Sequence, residues 1–216
     1  MIKSAPNVSS ERYGADLIIE VARVAGMAGA RRVLRLGPEN GIVLLRTRRT
    51  GLASRVGHDL TLEVTAWSAD VEVPDPTGPS GGWVEATMDL SSIRVREGTG
   101  GAVPLTDRDR REIEGNARRM LDVDRHPMAT FASDQISATE NEATVSGTLS
   151  LHGGRTPVVL HVRQVSPNRL HADASVAQTT LGIKPYSAFL GALKLRDEVS
   201  VECQVDIAGL VGDDVR

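Results

Sequence analysis

Between Glu142 and Val165 the chain alternates apolar and polar residues on both sides of a Gly-Gly step. Val145, Gly147, Leu149 and Leu151 share one parity, and Thr144, Ser146, Thr148 and Ser150 share the other. After His152-Gly153-Gly154 the alternation resumes, with Val158, Leu160 and Val162 against Val159, His161 and Arg163. Strand side chains point alternately to opposite faces, so two such runs around a glycine turn make a β-hairpin with one buried face. Pro157 falls near the start of the second run, where a missing amide donor costs least. A helix cannot use a period of two. The chain is committed to a sheet that buries one side.

The same period recurs along most of the chain. Strand-like sequence runs from Ile42 to about Thr50, after the Pro38-Glu39-Asn40-Gly41 turn signal. Leu60, Leu62, Val64 and Ala66 then share a face, whereas Trp67, Ala69, Val71 and Val73 take the other parity. That switch predicts a bulge or strong bend near Ala66-Trp67. Pro74 to Gly82 reads as a loop. Val84, Ala86, Met88 and Leu90 follow, inward, and a one-residue slip would invert the whole set. Met128 to Ile136, with Phe131, is a further strand, as is the run with Ala172, Ala174 and Val176 inward. The last strand, about Glu198 to Ala208, sets Val199, Val201, Cys203, Val205 and Ile207 inward. Thr106 to Leu121 is the one clear helix. Thr106 or Asp107 caps it, acids open it and Arg118-Arg119 close it. Its stripe of Ile113, Ala117, Met120 and Leu121 suits one mouth of a barrel. The tally is about eight antiparallel strands with one helix after the third, an all-β barrel that can just hold one ligand.

Composition narrows what such a barrel does. The 216 residues carry a net charge of −3, which gives no general pull toward nucleic acid or anionic membrane. The Arg48-Arg49, Arg110-Arg111 and Arg118-Arg119 pairs read as solvated surface. With one cysteine there is no intramolecular disulfide, which suits a reducing compartment. Cys203 is in phase with the apolar positions of its strand and reads as a small buried side chain. Only 3% of residues are aromatic, so a core of Val, Leu, Ala and Thr leaves volume at the centre unless leucines close it. Gly98 to Gly101 has neither the spacing nor the lysine of a phosphate-binding loop, and no cofactor is expected.

Residues 1–32 read as an N-terminal extension, 33–209 as one barrel domain and 210–216 as a tail. The semi-apolar run Leu17 to Ala30 suits a short helix. Glu20 and Arg23 interrupt it, which is unlike a signal peptide, and it is too short and charged to span a bilayer. The expected location is cytoplasmic, with export as the alternative, and no stable membrane insertion is expected. Met27 opens a plausible shorter start.

Five phrases give these parts a resemblance. They are Arg48 to Leu60, Val84 to Ile93 with its Ser92-Ile93 ending, Met120 to Ser133 with Leu121-Asp122-Val123, Pro127, Phe131 and Ser133, Val145 to Val158, and Thr180-Leu181-Gly182-Ile183. In this order and spacing the chain, from about Leu34 to Ile207, resembles the YceI-like family of lipocalin-like barrels. The resemblance implies that a long polyisoprenoid-type lipid binds inside the barrel. On that reading the wall candidates are Leu60, Leu62, Val64, Val84, Ala86, Met88, Phe131, Val145, Leu149, Val158, Leu160, Val176, Phe189, Val199 and Val201. Small inward residues (Ala86, Gly147, Ala172, Ala174) would give the ligand room.

His58-Asp59 is the best polar pair, with His58 as the head-group candidate. The plainer reading is a His-Asp turn that orders the hairpin. His126 and His152 also sit at strand ends, but the spacing contains neither HxH nor HExxH, so no metal is expected. No serine sits in a GxSxG elbow, and no catalytic residue is assigned. Three functions remain: a carrier of an apolar isoprenoid-type lipid, an enzyme using the cavity with His58-Asp59, or a packed-barrel stress or interaction protein. A homodimer is compatible with each.

Overall fold

The computed structural model describes residues 33–72, 81–139 and 141–210. The N-terminal extension with its expected helix, most of the Pro74–Gly82 loop and residues 211–216 lie outside the described residues. In chain order the elements are β1 (Val33–Leu36), β2 (Gly41–Thr47), β3 (Arg49–Thr50), β4 (Asp59–Val64), β5 (Trp67–Glu72), β6 (Trp83–Asp89), β7 (Ile93–Thr99), α1 (Asp107–Met120), β8 (Met128–Ala138), β9 (Glu142–Leu151), β10 (Gly154–Ser166), β11 (Arg169–Ala177), β12 (Ser187–Ala188), β13 (Leu193–Leu195) and β14 (Glu198–Asp206).

Among the described residues, eleven strands form one sheet in the order β1-β5-β6-β8-β9-β10-β11-β14-β2-β4-β7, and β12-β13-β3 form a second. Every pairing is antiparallel. The all-β barrel class expected from the alternation is what the chain adopts. The expected count of eight is too low. The two longest expected strands each split in two, β1 is an extra edge strand, and three two- or three-residue strands form in the connections.

The split has a physical cause. β4 lies next to one end of the sheet order and β5 next to the other, yet only Thr65 and Ala66 separate them. The sheet therefore curls until its two ends meet. At that corner the second strand bends as well, through a 3-10 turn at Leu90–Ser92. Bending breaks the ladder and leaves backbone groups that need partners. Thr65 Oγ1 donates to the Ser92 carbonyl at 2.9 Å, and Ala66 N donates to Ser92 Oγ at 3.0 Å. Ser92 Oγ donates in turn to the Asp89 carbonyl at 2.6 Å, and Asp89 N to the Ala66 carbonyl at 2.9 Å. Ser92 is the hydroxyl that makes the corner possible. Ile93 beside it is fully buried.

The β9–β10 hairpin is tighter than the three-residue turn expected. Leu151 pairs with Gly154, so the loop is His152-Gly153, both with positive φ (56° and 76°), as a type I′ turn requires. Pro157 stands in the part of β10 that pairs with β9 alone, since β11 joins only at His161.

Helix α1 has Thr106 as its N-cap. Thr106 Oγ1 accepts from Asp109 N, and the Asp109 carboxylate accepts from Thr106 N at 2.9 Å, a complete capping box. The helix covers the free edge at β7. Glu114 Oε1 accepts from Val95 N at 2.9 Å, and the Arg110 guanidinium donates to the carbonyls of Val95 and Arg96. Edge groups that would template another strand are thereby occupied.

Candidate functional site

The curled sheet and α1 enclose a cavity of about 770 Å³. Its wall is the apolar face that the alternation defines. Leu60, Leu62, Val64, Val84, Ala86, Met88, Phe131, Val145, Leu149, Val158, Leu160, Val176, Val199 and Val201 all line it. They come from β4, β6, β8 to β11 and β14, stretches up to 140 residues apart that only the curl brings together (between positions 60 and 201 of the chain).

Two expectations need correction. Phe189 is not on the wall. It is 69% exposed, with φ of 52°, and forms a left-handed turn with Leu190 and Gly191 at the tip of the β12–β13 connection. The period-two reading does not extend into that turn. Gly147 does not add room either. A methyl group there would meet the Ala132 carbonyl and the Phe131 ring, so the space over Gly147 is filled by Phe131. Around that ring Val145, Val158 and Ala174 are buried together. Ala86, Ala172 and Ala174 do line the cavity.

The cavity lining is buried at one end and reaches the surface at the other. At one end the lining residues Leu34 and Ile207 are 6% and 1% exposed, and Glu72 is buried beside them. At the other end the lining residues Val56 and Val103 are 56% and 68% exposed, so the lumen reaches the surface between them. Most polar lining gathers at this mouth: Thr47, Arg49, His58, Asp109 and Tyr186.

His58 lies at the mouth, as the head-group expectation requires, but it already has a partner. Its Nε2 lies 2.8 Å from the Val103 carbonyl, and Gly101 packs directly on the ring. Asp59 Oδ1 accepts from Arg49 N at 2.7 Å. Arg49 also donates to the carbonyls of Gly57 and Thr99, both at 2.8 Å. The pair thus orders the loops around the mouth. Asp109 faces the same rim. The Thr106 hydroxyl and amide hold its carboxyl below the usual aspartate range. His126 and His152 lie 5.7 Å apart between ring centroids, off the cavity wall.

Thr47 is the residue that reading the sequence missed. It is buried, lines the lumen, and pairs across β2–β4 with Leu60. Its Oγ1 has no hydrogen-bond partner among the described residues. The signal was available: Val43, Leu45 and Thr47 share one parity, so a hydroxyl ends an apolar row. Cys203 also faces the lumen, and burial pushes its thiol up to about 11. No helix among the described residues is long and apolar enough to cross a membrane.

A model of the YceI-like domain family matches residues 45–207. Among solved structures, BcnA of Burkholderia cenocepacia superposes with a TM-score of 0.55 at 17% identity, over 76% of this chain and 94% of that one. A polyisoprenoid binding domain from Saccharophagus degradans, implicated in plant cell wall breakdown, gives 0.48 at 12% identity, over 82% and 99%. A YceI protein of Campylobacter jejuni gives 0.42 at 11% identity, over 56% and 70%. No curated protein matches the chain.

Proposed function

This chain belongs to the YceI-like family, and we propose that its barrel binds one long apolar lipid of the polyisoprenoid type, with the tail in the lumen and the polar head at the Thr47 mouth. The observation that carries this reading is one largely aliphatic cavity of about 770 Å³, with buried lining at one end and exposed lining at the other. That volume lies within the roughly 300–1,000 Å³ typical of small-molecule sites. Burying aliphatic carbon is worth ~0.8 kcal/mol per CH₂, so several isoprene units outweigh the cost of immobilising one chain. A barrel packed for its own stability does not fit such a lumen.

Polarity sets the direction of the ligand. The inner end is lined by Leu34, Leu170, Val205 and Ile207 with the buried Glu72 among them, whereas Thr47, Arg49, His58, Asp109 and Tyr186 gather at the mouth. A buried hydroxyl left unpaired costs about 1–3 kcal/mol, which a carbonyl or hydroxyl on the lipid head would recover at Thr47. The enzyme reading draws on His58 and Asp59, and both are engaged in holding the mouth loops.

The test is native mass spectrometry of protein purified from its own host, followed by organic extraction. A co-purifying apolar molecule of polyprenyl mass, near one per chain, is the expected result. A protein that carries none and also fails to take up polyprenyl quinones would overturn the reading.

A further inference from the structure

The mouth carries a feature that a lumen alone does not require. β3, β12 and β13 form a small flap beside the opening. Lys194 and Leu195 pair with Thr50 and Arg49, and Ser187 and Ala188 pair with Lys194 and Leu193. Ala53 N donates to the Ala192 carbonyl at 2.9 Å, and Arg196 N to the Arg48 carbonyl at 2.7 Å. These bonds hold the 51–57 loop against the 189–192 turn. The two tips present Leu52 at 98% exposure, Leu190 at 110% and Phe189 at 69%, next to the rim residue Val56. A single exposed leucine is ordinary, but neighbouring large apolar tips on one flap mark an interaction surface.

Charge indicates what the surface meets. Residues 48–57 hold Arg48, Arg49 and Arg55 with no acid, and residues 182–196 hold Lys184, Lys194 and Arg196 with no acid. Six cations thus gather in two adjoining segments of a chain whose net charge is −3. Carboxylates flank these segments and keep their negative charge, with Asp59 accepting from Arg49 N, Asp109 from Thr106, and Asp197 from the amide and hydroxyl of Thr179, so the cations are concentrated in the two segments themselves. Aliphatic and aromatic tips set among basic residues match the layered chemistry of an anionic bilayer surface, apolar below and negative above.

We infer that this flap docks on the anionic surface of a lipid bilayer. Its tips enter the headgroup layer, and the Val56–Val103 opening faces the membrane. An apolar lipid then passes between bilayer and lumen without crossing water. The purpose rests on the lipid-binding reading; the docking itself does not.

Flotation of the full chain with phosphatidylcholine vesicles, with and without phosphatidylglycerol, tests the docking. The chain is expected to float with the anionic vesicles and to be released by high salt. The exposed double variants F189S/L190S and R55E/K194E should each weaken binding at least about tenfold, with thermal unfolding unchanged. A chain that does not float, or variants that float like the parent, would overturn the inference. So would a flap-dependent dimer that forms in place of vesicle binding. Uptake of a polyprenyl quinone from solvent reads the lumen independently. Loss of flotation with uptake intact defeats the docking alone, and loss of uptake with flotation intact defeats the lipid-binding reading alone.

Discussion

The corner between β4 and β5 and the wall made by β10, β11 and β14 use the same residue types and both reach the lumen, yet the corner side chains are packed to full burial and several on the wall are left half-buried. At the corner Val64 is 2% exposed and Ile93 0%, packed with Trp67, Leu90 and Val95. On the wall Leu160, Val176, Val199 and Val201 are half-buried and face the lumen. Two strands that bend together bring their inward side chains onto one another, and α1 adds Ile113, Ala117 and Leu121 from above. The Phe131 ring of β8 lies against Gly147. The lesson is that apolar alternation specifies a buried face without specifying what buries it. At the corner protein covers most of each side chain and leaves only an edge on the lumen, and on the wall more of each side chain is left for a ligand.

That contrast can be broken from either side. Ile93→Ala should remove about 2–5 kcal/mol of stability, because its side chain is fully buried and the deletion leaves a void beside rigid strands. Denaturant unfolding checks it, and Val201→Ala on the wall should cost clearly less under the same conditions. Ala172→Trp should do the reverse. It places a ring in the lumen, so the expected outcome is a near-parental melting temperature with lipid affinity reduced about hundredfold. A melting temperature that collapses instead would mean that the wall is packed like the corner.

Cys203 sharpens the comparison without altering the fold. Burial moves its pKa from 9.0 to about 11, so at pH 8 its thiolate fraction, and its labelling by maleimide, should fall about 100-fold below a free cysteine. Bound lipid should slow labelling further, since the thiol faces the lumen. Between those two pKa values the folded thiol keeps a proton that the unfolded one loses, so this group lowers stability as pH rises through that window. The smallest expected effect is at the mouth. Thr47→Val should leave stability unchanged or raised by about 1 kcal/mol, because an unpaired buried hydroxyl is removed, while lipid affinity falls about five- to tenfold. Equal affinity in a direct titration would reject the head-group position.

Much of the site was legible in advance because a strand has only two faces. Once Val145, Leu149, Val158 and Leu160 are inward, register carries the rest, and Ala66-Trp67 announces the bend through its change of parity. The Thr106–Asp109 capping box is likewise a local fact. Phe189 was misplaced because a turn with positive φ follows no period. The ordering role of His58 was foreseen as a His-Asp turn, but nothing in the sequence shows that Val103, 45 positions on, supplies its partner.

The sequence by itself determined the class of fold and the inward face, which follow from side-chain period and local turn chemistry, and its motif phrases carried the resemblance to the family. Only the tertiary structure decided that the inward face encloses a cavity, that Leu34 and Ile207 are buried at one end of it, and that Thr47 has no hydrogen-bond partner among the described residues near the other. Those are distances between segments far apart in the chain, set by how far the sheet curls before its ends meet, and no local pattern encodes them.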